Sequence, residues 1–149
     1  MNNKINNILV CGSLVYDRIM DFPGKFSDHI LAGKTHILNV AFTVNAVLES
    51  FGGTGGNIAY SLVLLGEKPK LVAVAGRDFG KYRTSLKVNI IDLSGVKIVK
   101  DELTASAYIM TDRADNQITA FYPGAKDKIP LALPQRVRDR LFVKGGLSL

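Results

Sequence analysis

Glu49-Ser50-Phe51-Gly52-Gly53-Thr54-Gly55-Gly56-Asn57 runs without a break into Ile58-Ala59-Tyr60-Ser61-Leu62-Val63-Leu64-Leu65-Gly66. Glycine at four of five consecutive positions lets the backbone take positive φ and lets a ligand approach the main chain with no Cβ in the way. Ile58, Leu62 and Leu65, with Ala59 and Val63, recur at helical spacing. Asn57 stands where an N-cap would and Gly66 where a C′ glycine would, so residues 57–65 are expected to form a short buried helix. Its positive end faces the glycines, where free backbone N–H groups would suit an oxygen-rich or anionic ligand. The same run also reads as a tight strand-to-helix connection that needs glycine for geometry alone, and both readings stay open. The standard phosphate motifs do not fit. No Lys-Ser or Lys-Thr follows as a P-loop requires, and Gly53-x-Gly55-x-x-Ile58 lacks the third glycine of a dinucleotide fingerprint.

On the amino-terminal side, residues 8–11 form an apolar run ending at Gly12, the pattern of a buried first strand that opens into a loop carrying Asp17. Ligands of open α/β sheets bind beyond the carboxyl ends of strands, which makes Asp17 a candidate ligand contact; a turn-capping aspartate is the ordinary alternative. Residues 19–51 do not read as a βα unit. Phe22-Pro23-Gly24 signals a turn, and residues 35–39 and 42–47 alternate partially, so a small strand-built flap is expected there. On the carboxyl side, residues 70–75 read as a buried strand, 80–91 as an amphipathic helix and 96–99 as another strand, an alternation that argues for a parallel sheet. Residues 105–111 and 117–122, joined by a polar turn at 112–116, read as a hairpin. Residues 133–142 look helical, and 143–149 are mostly apolar.

Composition narrows the class. The chain has 149 residues, 47% of them hydrophobic and 21% charged, enough for one ordinary soluble core. Cys11 is the single cysteine; within its apolar run it is expected to pack as a small hydrophobe, so a disulfide framework is excluded and a reducing, cytoplasmic setting is expected. No stretch is apolar for long enough to span a bilayer. The formal charge of +6 lies late in the chain, and Arg136, Arg138 and Arg140 have no interleaved aromatics, which favours a solvated helix face over a nucleic-acid patch. Neither nucleic acid nor membrane is an expected partner.

Five segments in order, Cys11-Gly12-Ser13-Leu14-Val15-Tyr16-Asp17, Phe51-Gly52-Gly53-Thr54-Gly55-Gly56-Asn57-Ile58-Ala59, Leu65-Gly66, Val74-Ala75-Gly76-Arg77-Asp78-Phe79-Gly80 and Asp115-Asn116-Gln117-Ile118-Thr119-Ala120-Phe121-Tyr122-Pro123-Gly124-Ala125, resemble the ribokinase-like, or PfkB, sugar and nucleoside kinases, adenosine-kinase-like branch. The resemblance implies an α/β fold, with a mostly parallel central sheet flanked by helices and a small β-sheet lid over the substrate. The lid would be formed by about 19–51 and 105–122. It also implies a substrate site of Asp17, Gly52, Gly53 and Asn57 around a sugar, with Ser13 in the same motif. Phe121 and Tyr122 stand where ribokinases carry an acidic residue, a departure that suits stacking on a base; the ordinary alternative is that both rings fill the core or the lid seam. A carboxylate accepts from two vicinal hydroxyls at once, and an asparagine amide donates and accepts. Val15 departs from ribokinases, which tend to place asparagine there, and looks more like the adenosine-kinase branch.

Family members transfer a phosphoryl group from ATP, with Mg²⁺, through a Gly-Ala-Gly-Asp motif and an Asn-x-x-Glu segment. Neither motif occurs in this sequence. Residues 1–149 are therefore expected to form the N-terminal, acceptor-binding part of such a domain, without catalytic residues and inactive alone. Self-association through the lid or an exposed sheet edge is a further expectation, because a sheet cut partway leaves an open edge. A non-catalytic chain that binds a nucleoside or another polypeptide, and a dinucleotide-binding domain weakened by the broken fingerprint, are the competing readings.

Overall fold

The computed structural model describes residues 8–30, 33 and 38–132, and of residues 129–132 the backbone alone. Two sheets are present among the described residues, with one main core and a smaller separate cluster of Val15, Ala105 and Ala107. The first is parallel, with β1 (Leu9–Cys11) and β5 (Asp92–Val99) on either side of β4 (Lys70–Gly76). Strand β4 is central because residues 71–75 are apolar without interruption, and all are buried. Helices α1 (Thr54–Leu64) and α2 (Gly80–Val88) contribute Ala59, Tyr82 and Leu86 to a core with Val10, Leu71, Ala73 and Ala75. A 3₁₀ segment over Gly124–Ala132 lies against β4 and β5.

The second sheet has the order β3-β2-β6-β7: β3 (Ala46–Gly52), β2 (Val15–Asp21), β6 (Ala105–Thr111) and β7 (Gln117–Tyr122). Strands β2 and β6 are parallel, and the outer pairs are antiparallel. The β6–β7 hairpin has the expected bounds. Its turn is closed by Asp112, whose Oδ1 accepts the N–H groups of Ala114 and Asn116, each at 2.9 Å, and Asp115 takes the left-handed conformation that aspartate tolerates. Asp112 Oδ2 also accepts the N–H of Phe26 at 2.9 Å and so ties the hairpin to a cluster of Phe22, Phe26, His29 and Phe42.

Several sequence expectations are corrected. The expected loop carrying Asp17 is strand β2 of the second sheet, because the chain leaves the parallel sheet at Cys11 and enters the other at Val15. The flap's strand within 19–51 is β3, starting at Ala46; residues 38–39 and 42–45 are not strand, and 35–37 lie outside the described residues. Strand β1 lies at a sheet edge, so Val10 alone of its three residues is buried and Cys11 is exposed rather than packed. Helix α1 begins at Thr54, not after Asn57; it turns Ala59, Leu62 and Val63 to the core and leaves Ile58 and Leu65 exposed. The readings of 133–149, Arg136, Arg138 and Arg140 included, lie outside the described residues.

Candidate functional site

Residues directly opposite one another in a ladder share a face of the sheet. Ser50, Asp17, Ala107 and Phe121 therefore form one transverse row across all four strands of the second sheet. The next row on that face holds Gly52, Val15 and Ala105. The Asp17 carboxylate leans over Gly52 so closely that a Cβ at that position would overlap Oδ2. Among the described residues nothing donates a hydrogen bond to this carboxylate, and burial raises its pKa from the ordinary value. It is thus a partly desolvated acceptor with its hydrogen-bonding capacity unspent, next to a backbone corner with no side chain.

That corner is held from two sides. Gly53, with φ of 90° and ψ of 142°, turns the chain into α1 in a conformation that side-chain-bearing residues avoid. Beneath it, Ser13 closes the start of the helix. Its Oγ accepts the Thr54 N–H at 3.2 Å, and its carbonyl accepts those of Gly55 at 3.0 Å and Gly56 at 3.3 Å. The expectation of free amides at the glycine turn is therefore corrected, since these N–H groups are spent within the fold. From the other side Tyr82, on α2, donates its hydroxyl to the Gly52 carbonyl at 2.8 Å and stacks on Phe51 at 4.6 Å between centroids. Burial first, then the negative charge of Asp17, pushes the Tyr82 phenol up to about 12, so it remains a donor at neutral pH.

The sequence-derived candidates fall into three groups. Asp17, Gly52 and Gly53 are brought together, with Phe121 on the same face. Asn57 is joined to them through the corner, its N–H donating to the Gly53 carbonyl at 3.0 Å, but it is exposed within α1 and lines a cleft of about 270 Å³ with Phe51, Tyr60, Tyr82 and Ser85. Asp17 is not part of that lining. Ser13 serves the helix start. Tyr122 is paired with Ser106 on the opposite face of the sheet from Phe121, where its hydroxyl donates to Glu102 Oε2 at 3.1 Å. Nothing in the sequence marks Tyr82, because a tyrosine in an amphipathic helix carries no local sign of its partner.

The second sheet is fixed to the rest of the molecule on its other face. Tyr16 donates to the Asp78 carbonyl at 3.0 Å, and Arg18 pairs with Glu49, which also meets Lys81 of α2. Asp78 Oδ1 in turn accepts both the N–H and the hydroxyl of Thr104, at 2.7 Å each, which sets the start of β6.

The site thus joins a carboxylate with unspent acceptors to a glycine corner between two sheets. The model of the pfkB family carbohydrate kinases matches residues 7–142. The chain belongs to the pfkB family. It is 36% identical over 89 residues to a nucleoside kinase of Methanothermobacter thermautotrophicus, an alignment covering 58% of this chain and 29% of that protein. Among solved structures, the nucleoside kinase of Burkholderia thailandensis in complex with inosine superposes with a TM-score of 0.71 at 38% identity, covering 83% of this chain and 39% of that one. The nucleoside kinase of Methanocaldococcus jannaschii, described as an archaeal member of the ribokinase family, gives 0.71 at 28% identity, covering 89% and 41%. This pfkB-family chain thus spans well under half the length of these relatives, and the fold it shares with them is ribokinase-like.

Proposed function

We propose that this chain is the acceptor-binding portion of an adenosine-kinase-like nucleoside kinase, whose complete form transfers the γ-phosphoryl group of ATP to a sugar hydroxyl. The observation that carries this reading is the Asp17 carboxylate, partly desolvated over Gly52 and unpartnered among the described residues, in one row with the exposed ring of Phe121. The carboxylate accepts vicinal ribose hydroxyls, and the aromatic ring stacks on the base. The inosine bound by the Burkholderia relative is a ligand of this shape.

Phosphoryl transfer needs a base and a charged clamp on the transferring group. The sequence has no Gly-Ala-Gly-Asp and no Asn-x-x-Glu, the motifs that would supply these groups. The purified chain, given ATP, Mg²⁺ and inosine, adenosine or ribose, is expected to transfer no phosphate above a no-protein control. Turnover above that control would refute the inactivity. Exposed Leu64, Leu65, Val88 and Ile90, together with edge strand β1, favour a second reading in which the chain works bound to another polypeptide. Sedimentation as a monomer at micromolar concentration would oppose self-association as the form this takes.

A further inference from the structure

Lys126 lies just beyond β7, with its ammonium 5.2 Å from the centroid of the Phe121 ring. It makes no ion pair among the described residues. An ammonium attracted to an aromatic face without a carboxylate partner keeps all three of its donors for a ligand or for water. Phe121 stands in the row of Asp17, two strand spacings away, which places the ring roughly 10 Å from the carboxylate's strand. Between them Ala107 contributes only a methyl group to the floor. The face therefore presents, in order, an anionic acceptor, a shallow floor, an aromatic platform and a cation.

We propose that Lys126 is a specificity-determining residue that selects nucleosides whose base presents a carbonyl at the edge remote from the sugar, that is, 6-oxopurines over 6-aminopurines. This rests on the reading that the chain binds a nucleoside with its sugar at Asp17. A base stacked on Phe121 takes up the ring face that the ammonium now covers and turns the ammonium toward the base edge. A lysine has donors and no acceptor, so it bonds to a carbonyl oxygen and gains nothing from an amino group in the same place.

Inosine and adenosine differ at this edge, which makes calorimetric titration of the full 149-residue chain with each the direct test. The unsubstituted chain is expected to bind inosine more tightly. Lys126→Met, which keeps the stem and removes the charge, is expected to weaken inosine by about tenfold while leaving adenosine within about twofold, and Lys126→Arg to keep the preference. Retained adenosine binding also reports that the Met variant is folded. Equal weakening of both nucleosides, or of neither, overturns the role of Lys126 while leaving the nucleoside site standing. Failure of the unsubstituted chain to bind any nucleoside overturns the site itself, and this assignment with it.

Discussion

Replacing Gly53 by alanine tests how the glycine corner is built. At φ of 90° and ψ of 142° the backbone occupies a region essentially reserved for glycine, at a cost of about 1–3 kcal/mol for any other residue. A Cβ there would also stand 2.6 Å from the Ser13 carbonyl oxygen and 2.9 Å from the Val15 nitrogen. That carbonyl is the acceptor of the Gly55 and Gly56 N–H groups, so moving it away weakens two hydrogen bonds of about 0.5–1.5 kcal/mol each. Together these give an expected destabilisation of roughly 3–5 kcal/mol, at the upper end for a single substitution. Gly66 supplies the control: its φ is 82°, but a Cβ would meet nothing within 4 Å, so Gly66→Ala isolates the conformational part, about 1–2 kcal/mol. Urea unfolding followed by far-ultraviolet circular dichroism, with both variants fitted at an unchanged slope, reads the difference from the midpoints. Losses in the two variants that agree to within about 0.5 kcal/mol would refute the claim that Ser13 and Gly53 are in enforced contact.

Tyr82→Phe removes a buried hydroxyl from the Gly52 carbonyl and should cost about 1–2 kcal/mol in the same assay; a loss below about 0.3 kcal/mol would mean that the bond adds nothing to the corner. Asp112 gives a pH signature. Burial pushes its carboxyl up, but the N–H groups of Phe26, Asn116 and Ala114 and the Asn116 side-chain amide outweigh this and hold it at about 2, below the ordinary 3.8. A depressed carboxyl stabilises the fold above its unfolded value, so this contribution should be present at neutral pH and vanish as the pH falls from 3.8 toward about 2. Asp112→Asn should flatten that acid slope, and an unchanged slope would show that the hairpin clamp does not titrate as described.

The parts of the fold legible in the sequence are those whose pattern is complete within one segment. Strand β4 announces itself by five consecutive apolar residues, and the β6–β7 hairpin by two β-rich runs around a polar turn. Strand β2 is hidden in the sequence because its seven residues include Asp17, Arg18 and Asp21, and Arg18 finds Glu49, Ser106 and Tyr108 on the neighbouring strands, 31 or more residues away. The start of α1 is hidden for a similar reason. A glycine run has poor helix propensity, and the group that closes its first turn is Ser13, 41 residues earlier than Thr54.

The candidate site was legible as a set of residue types and not as an arrangement. Asp17 and the glycines could be named from their motifs, but that Asp17 lies over Gly52 follows from strand pairing. Phe121 and Tyr122 are adjacent and chemically alike, and only the register of β7 on β6 shows that one shares the face of Asp17 and the other does not.

Calorimetric titration of inosine into the chain and into its Asp17→Asn variant bears most directly on the role of the carboxylate. Asparagine keeps the size of the side chain but loses the charge that strengthens both hydroxyl contacts, so affinity should fall by about tenfold or more with the fold unchanged. Equal affinity in the two proteins would place the nucleoside elsewhere and remove Asp17 from the site.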